Sequence, residues 1–283
     1  MTAKSAKGSP NANLRVWGHP PRVAVSGACG RMGSIVVRLA AADGEVRLGA
    51  AIDVADHPKL GQDIGTVTGL GTPLGVLLSD DLTSEVDVMI DFSNPAGAMR
   101  CLETCVERKI PLVIGTTGLD EHETSKVRAA AKIVPLVFAP NMSVGVNLLL
   151  KIVGDVAKAL GGDYDVEIVE MHHRFKKDAP SGTALKLAEA IAKATGRELA
   201  KEAVYGRRGQ VGERPRGEIG LHAVRGGDVV GEHTVTFAAL GERVELTHRA
   251  GSRETFARGA LRAAKFVLTQ KPGLYSMLDV LGM

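Results

Sequence analysis

A chain of 283 residues is long enough for two domains, each with its own core. Hydrophobic residues make up 45% and charged residues 24%, as in a globular protein, and no stretch approaches the ~20 apolar residues needed to span a bilayer. A net charge of +3 gives no global field for a polyanion, and 4% aromatics offer few surfaces for stacking bases, so neither membrane nor nucleic acid is an expected partner.

The first 20 residues are rich in Lys, Ser, Gly, Asn and Pro, hold no apolar run, and read as a disordered extension. Acidic residues are absent before Asp43, as in a transit peptide, but arginine is too rare and the tail too short to carry that reading. Cys29, Cys101 and Cys105 form an odd set with no paired framework and no leader, which points to a reducing cytoplasm. Cys101 and Cys105 lie one helical turn apart, yet two further ligands at sensible spacing are missing. Buried thiols, and no metal, are expected.

From Arg22 the pattern becomes regular. Residues 22–26 form a short apolar strand, residues 27–33 a glycine-rich turn, and residues 35–42 an apolar helical run. A strand over residues 46–52 then ends at Asp53. Strand, glycine turn, helix, strand and acid open a dinucleotide-binding fold. The spacing is G-x-x-G-x-x-G, because Cys29 takes the second glycine position of the commoner motif. Asp53 is placed to accept hydrogen bonds from ribose hydroxyls and to repel the extra phosphate of NADP, and Val54 adds no positive charge. NADH is therefore the expected preference, with Arg31 and Lys59 still able to tolerate NADPH.

Further βα units follow: a strand over 86–92, a helix over 95–108 with Pro95 at its start, a strand over 112–115, and a helix opened by a capping box of Asp120 and Glu123. A strand over 134–138 leads into Ala139, Pro140, Asn141 and Met142. Such repetition implies a parallel sheet with helices on both faces, whose ligands bind beyond the strands' carboxyl ends. After a helix over 143–160 the character changes to a strand over 165–171, a helix over 180–195, a Gly/Arg-rich connection over 206–217, and three stretches (219–224, 229–240, 243–249) that alternate like antiparallel strands. The expected fold is thus α/β: a Rossmann-type dinucleotide-binding domain (residues 21–142 and 252–283) and an α+β substrate and oligomerisation domain with an open mixed sheet (residues 143–251). An open sheet leaves a face or edge to cover, so self-association is expected. A last helical run, residues 254–268, is expected to pack back on the first domain.

Residues 170–184 read E-M-H-H-R-F-K-K-D-A-P-S-G-T-A. They place a basic cluster at a strand's end and Ser181-Gly182-Thr183 at a helix's beginning, where free N–H groups and the helix dipole suit an anion. Taken alone the segment is equally a solvated basic loop or half of a site for proton transfer to an anionic substrate.

The segment closely resembles the signature of the 4-hydroxy-tetrahydrodipicolinate reductase (dihydrodipicolinate reductase) family of the diaminopimelate route to lysine. Residues 27–33, 113–118, 141–146, 205–212 and 224–233 resemble that family too, in order along the chain. The resemblance implies that His172 is the acid/base residue and Lys176 the proton donor, that His173 contacts substrate, and that Gly182 and Thr183 hold one carboxylate of a small dicarboxylate. It implies that Gly27, Ala28, Cys29, Gly30, Arg31, Met32, Asp53, Gly115, Thr116, Thr117, Ala139, Pro140, Asn141 and Met142 bind the nicotinamide cofactor, NADH or NADPH, and that the protein is a homotetramer. Phe175 stands where some members have a histidine, and Val54 where some have arginine. The implied reaction delivers a hydride and a proton. Positive neighbours and partial burial are expected to depress the Lys176 pKa toward neutrality. Both histidines reach substrate only if the strand ends or bulges there. Hinges near 141–144 and 249–253 are expected to close the domains. The rival readings are another two-domain NAD(P)-dependent amino-acid or semialdehyde dehydrogenase, which has no need of HHR-x-K…SGT, and a non-catalytic NAD-binding regulator, which has no need of the acid.

Overall fold

Short β-branched and apolar runs between glycine turns form the strands of the first sheet, and the computed structural model describes residues 19–283. The extension expected over residues 1–20 lies outside the described residues, apart from His19 and Pro20. In chain order the first elements are β1 (Arg22–Ser26), α1 (Gly33–Ala42), β2 (Arg47–Ile52), α2 (Ile64–Val67), β3 (Leu78–Ser79), β4 (Val88–Asp91), α3 (Pro95–Arg108), β5 (Leu112–Ile114), α4 (Glu121–Ala130) and β6 (Pro135–Phe138). They are followed by α5 (Val144–Leu160), β7 (Asp165–His172), α6 (Gly182–Thr195), α7 (Leu199–Glu202), β8 (Ala203–Tyr205), β9 (Ile219–Arg225), β10 (Gly231–Ala239), β11 (Glu242–Ala250), α8 (Glu254–Val267), β12 (Gly273–Tyr275) and α9 (Met277–Leu281).

The chain divides into two units, one running to Phe138 and including Ala260–Ser276, the other Ala139–Gly259 with Met277–Met283. The division falls within α8, whose Ala257, Ala260, Leu261, Ala264 and Val267 form a buried stripe at helical spacing.

The first unit holds a seven-stranded sheet in the order β12-β6-β5-β4-β1-β2-β3, parallel throughout. One face packs Met89, Leu112, Ile114 and Leu136 against α3 and α4. The alternate residues Val23, Val25, Val88, Ile90, Val113 and Val137 are fully buried as well, as a sheet covered on both faces requires. Local signals agree with this architecture. Pro95 opens α3 behind an Asn94 cap. Asp120 and Glu123 close the capping box, with Glu123 N–H donating to Asp120 Oδ1 at 2.7 Å and Asp120 N–H to Glu123 Oε2 at 2.9 Å. Cys101 and Cys105 are buried, and burial pushes the Cys101 thiol up to about 12 and that of Cys105 well above its ordinary value.

The second unit holds a five-stranded mixed sheet, order β11-β10-β7-β9-β8. Its inner face buries Val166, Ile168, Leu221, Val235 and Phe237 under Leu149 and Val153 of α5 and Leu187 and Ile191 of α6. The sheet departs from the antiparallel run expected of its strands: β9 pairs with β7 in parallel, and β8 with β9 likewise. Helix α6 supplies the crossover that parallel neighbours need. The Arg225-Gly226-Gly227-Asp228 turn is consequently not a hairpin between partners. It carries the chain from β9 past the end of β7 to β10, and on the way Gly226 N–H donates to His172 O (3.0 Å) and Arg174 N–H to Gly227 O (3.1 Å).

On the outer face Glu167 gathers the basic side chains of the 206–217 connection. Arg207 reaches both its oxygens (2.9 and 3.1 Å), Arg214 Nε donates at 2.9 Å, and His222 Nε2 lies 2.6 Å away. Burial alone would raise the Glu167 carboxyl, but these partners outweigh it and lower it to about 2. A lowered carboxylate contributes stability that is complete above its ordinary pKa and lost as pH falls toward its folded value. Amide protection factors over residues 206–217, measured against the intrinsic rate at each pH, are therefore expected to hold at neutral pH and to fall as pH drops from about 4.5 toward 2. Glu167→Gln is expected to lower them roughly tenfold at neutral pH. Unchanged protection in the variant contradicts the clasp.

Candidate active site

The glycine turn is shaped by backbone contact. Gly27 has φ +70°, and a Cβ there would stand 2.5 Å from the Phe92 carbonyl oxygen. A Cβ on Gly33 would run into the Gly27 carbonyl, so the helix closes on the strand only through glycine. Helix α1 has neither a side-chain cap nor an acidic residue in its first turn, which leaves its dipole open to an anion. Gly27, Ala28, Cys29, Gly30, Arg31 and Met32 lie in this turn, Asp53 directly follows β2, and Gly115, Thr116 and Thr117 follow β5. All sit at the carboxyl ends of one parallel sheet, and a crevice of about 470 Å³ there is lined in part by Gly27, Gly30, Asp53 and Arg100. Ala139, Pro140, Asn141 and Met142 follow β6 and belong to the second unit.

Asp53 also holds the turn together: its Oδ2 accepts from Cys29 N–H (2.8 Å) and its Oδ1 from Val54 N–H (2.9 Å), leaving lone pairs for ribose hydroxyls. Burial and the Asp53 charge push the Cys29 thiol up to about 11, so it remains protonated. Asp91, at the end of β4, was not singled out by the sequence reading. It is fully buried and accepts from Ser93 Oγ (2.5 Å) and Thr116 Oγ1 (2.6 Å), and burial raises its pKa. It fixes one of the residues expected at the cofactor. These features fit the pyrophosphate and ribose of a dinucleotide: an uncapped helix start, a turn that excludes Cβ atoms, and an acid at the second strand's end.

In the second unit β7 ends at His172, and His173 begins the following loop, so the second ring is freed from strand alternation. The apolar inner row Val166–Ile168 continues into Glu170 and His172 on the same face. Register then sets His233 of β10 opposite Glu170, and Arg225 of β9 opposite His172. Glu170 is 1% exposed. Arg225 grips it with two donors at 2.7 and 2.8 Å, His172 Nδ1 lies 2.6 Å away, and Ser181 N–H donates at 3.0 Å. Burial would raise the Glu170 pKa, but these groups together lower it. Burial also lowers His172, against the pull of Glu170.

Ser181 Oγ caps α6 through Ala184 N–H and meets His233 Nε2 at 3.0 Å. Burial brings the His233 pKa down to about 4, so that ring is neutral. Gly182 and Thr183 form the first turn of α6, and Asn141 Nδ2 donates to Thr183 Oγ1 at 3.2 Å. Lys176 meets a carboxylate that the sequence reading did not foresee: Nζ donates to both oxygens of Asp178, at 2.8 and 2.9 Å. That contact comes from the turn between β7 and α6, where Arg225 also ties down the Asp178 carbonyl (2.7 Å). His172, His173, Lys176, Gly182 and Thr183 thus lie in one segment of one unit. Glu170, Arg225 and His233 join them, although sequence reasoning gave them no role, and so does Ser181, which was expected at the helix start. The available signal was the spacing of two between Glu170 and His172 in a strand whose inner row is apolar.

A nucleotide-type turn on one sheet and a histidine–lysine cluster beside a helix start on another make the chain an oxidoreductase of the nicotinamide-dependent, two-unit class. It belongs to the dihydrodipicolinate reductase family: residues 21–142 match that family's N-terminal model and residues 145–281 its C-terminal model. A 4-hydroxy-tetrahydrodipicolinate reductase of Syntrophus aciditrophicus is 52% identical over 261 residues, covering 91% of this chain and 97% of that protein. One of Geotalea uraniireducens is 52% identical over 266 residues, covering 93% and 99%. Among solved structures, a dipicolinate-bound dihydrodipicolinate reductase from Paenisporosarcina sp. TG-14 superposes with a TM-score of 0.73 at 26% identity, covering 92% of this chain and 99% of that one. An aspartate semialdehyde dehydrogenase from Vibrio cholerae matches at 11% identity and a TM-score of 0.53, a likeness of fold alone.

Proposed function

We infer that the chain catalyses the NAD(P)H-dependent reduction of 4-hydroxy-tetrahydrodipicolinate to tetrahydrodipicolinate, a step of diaminopimelate and lysine biosynthesis. The observation that carries this reading is the HHR-x-K…SGT segment, folded with its basic groups beside the start of α6, in a chain matched along nearly its whole length by reductases of that name. The nicotinamide supplies the hydride. Net, a hydride replaces the substrate's hydroxyl, which leaves as water, so one proton is consumed per turnover.

In this reading the start of α6, with Gly182 and Thr183, holds one carboxylate, His173 contacts the ring, and His172 with Lys176 handles the proton. Gly27 to Met32, Asp53, Gly115 to Thr117 and Ala139 to Met142 hold the nucleotide. Substrate-dependent oxidation of NADH tests the activity, and cofactor binding without turnover would favour the non-catalytic alternative. Asp53 with Val54 supports a preference for NADH, since a second carboxylate-facing phosphate is repelled. The expected kcat/KM ratio of NADH over NADPH is about tenfold, ~1.4 kcal/mol. Equal efficiencies remove the preference.

Self-association through the second unit's sheet, as a homotetramer, is supported by its outer face, where Val169 and Val224 are each 41% exposed. A cytoplasmic location fits the free cysteines. Among the described residues no helix is long and apolar enough to cross a membrane.

A further inference from the structure

Glu170 continues an apolar row yet remains ionised, because Arg225 supplies two parallel charge-assisted hydrogen bonds. An ionised carboxylate has no proton to give. Every group it touches must therefore donate, and one of them is His172 Nδ1 at 2.6 Å. Nδ1 thus carries the hydrogen, and in the neutral ring Nε2 is a bare acceptor. The same carboxylate holds the Ser181 amide at the opening of α6 (3.0 Å). One buried group thereby fixes both the imidazole and the helix start expected to hold the substrate's carboxylate.

We propose that Glu170 is a positioning residue for the reduction: it locks His172 in the Nδ1–H tautomer and makes Nε2 a hydrogen-bond acceptor, which leaves proton donation to Lys176, the donor that the family resemblance implies. This rests on the reading of residues 172–183 as the reductase site. The ammonium N–H bond of Lys176 breaks as the substrate takes the one proton consumed, and the amine left behind regains a proton from solvent. His172 orients by accepting.

The surroundings agree. The charged and titratable groups facing His172 are Glu170 on its own strand, Arg225 from β9, His233 from β10 and Lys176 from the loop. The His233 ring stands edge-on at 5.2 Å and is neutral. Burial lowers the His172 pKa, so the neutral ring is the resting form near pH 7.

Tautomers are read directly from ¹⁵N shifts in histidine-labelled, full-length protein without substrate, with His172 assigned by its loss in His172→Asn. Near neutral pH the expected spectrum shows protonated Nδ1 and unprotonated Nε2. In Glu170→Gln the amide turns its NH₂ toward the ring, which moves the proton to Nε2. That variant is expected to lose about 10²-fold in kcat, with KM changed far less and the pH–rate profile displaced. An Nε2–H tautomer in the wild type overturns the proposal, and needs no variant to fold. A folded Glu170→Gln with the wild-type tautomer and kcat within about threefold overturns it too. The resting tautomer does not depend on turnover, so a wild type that shows it but reduces no substrate fails the activity reading instead.

Discussion

Lys176→Ala is expected to lower kcat by roughly 10²–10⁴-fold, the usual contribution of a positioned general acid. Of the candidate donors, neutral His172 offers its free nitrogen as an acceptor, and His233 is buried and engaged with Ser181. The Lys176 side chain is 20% exposed and already oriented by Asp178. Cofactor binding should persist, because the glycine turn and Asp53 lie in the other unit. Lys176→Arg separates acid from electrostatic roles: arginine keeps the charge but does not surrender a proton near neutral pH. It should bind substrate and remain slow. The exposed neighbour Lys177, changed to alanine, is the control and should retain near-normal turnover. Loss of less than about threefold in Lys176→Ala removes the residue from the acid role.

Arg225→Met should be the most destabilising single change at the site. It leaves the carboxylate of Glu170, 1% exposed, without its permanent countercharge. Stranding a buried charge costs roughly 3–5 kcal/mol, and the remaining His172 and Ser181 contacts argue for the lower end. About 3 kcal/mol corresponds to a Tm lower by roughly 6–12 °C. The pH dependence carries a sign. The folded Glu170 pKa is lowered, so its contribution is complete above the ordinary carboxylate value and lost as pH falls through the lowered one. The gap between wild type and variant should therefore narrow in acid. A gap below about 1 kcal/mol at pH 7 in urea unfolding contradicts the arrangement.

Much of the fold could be read from local chemistry. Pro95, the Asp120–Glu123 box and the glycine turn act within a few residues, and the structure forms their elements at nearly the expected bounds. What escaped was short or non-local. The strands β3, β8 and β12 have two or three residues each, too few to show alternation. The parallel pairing of β9 with β7 depends on which strand a distant segment finds, and the Arg-Gly-Gly-Asp turn looks the same either way.

The site divides along the same line. His172, Lys176, Gly182 and Thr183 come from one contiguous segment, so their types and spacing were visible at once. Glu170, Arg225 and His233 meet only through register across three strands. Lys176 met a carboxylate two residues on because the turn folds back, which spacing alone does not convey.

The central claim is that this chain transfers a hydride from nicotinamide to its substrate. The most direct test is turnover with NADH deuterated at the transferred position, on substrate generated fresh from pyruvate and aspartate semialdehyde, with the product weighed by mass spectrometry. The predicted result is a product one mass unit heavier than that from ordinary NADH, formed in step with NADH oxidation and nearly abolished in Lys176→Ala. NADH consumed without deuterium in the product, or not consumed at all, would contradict it.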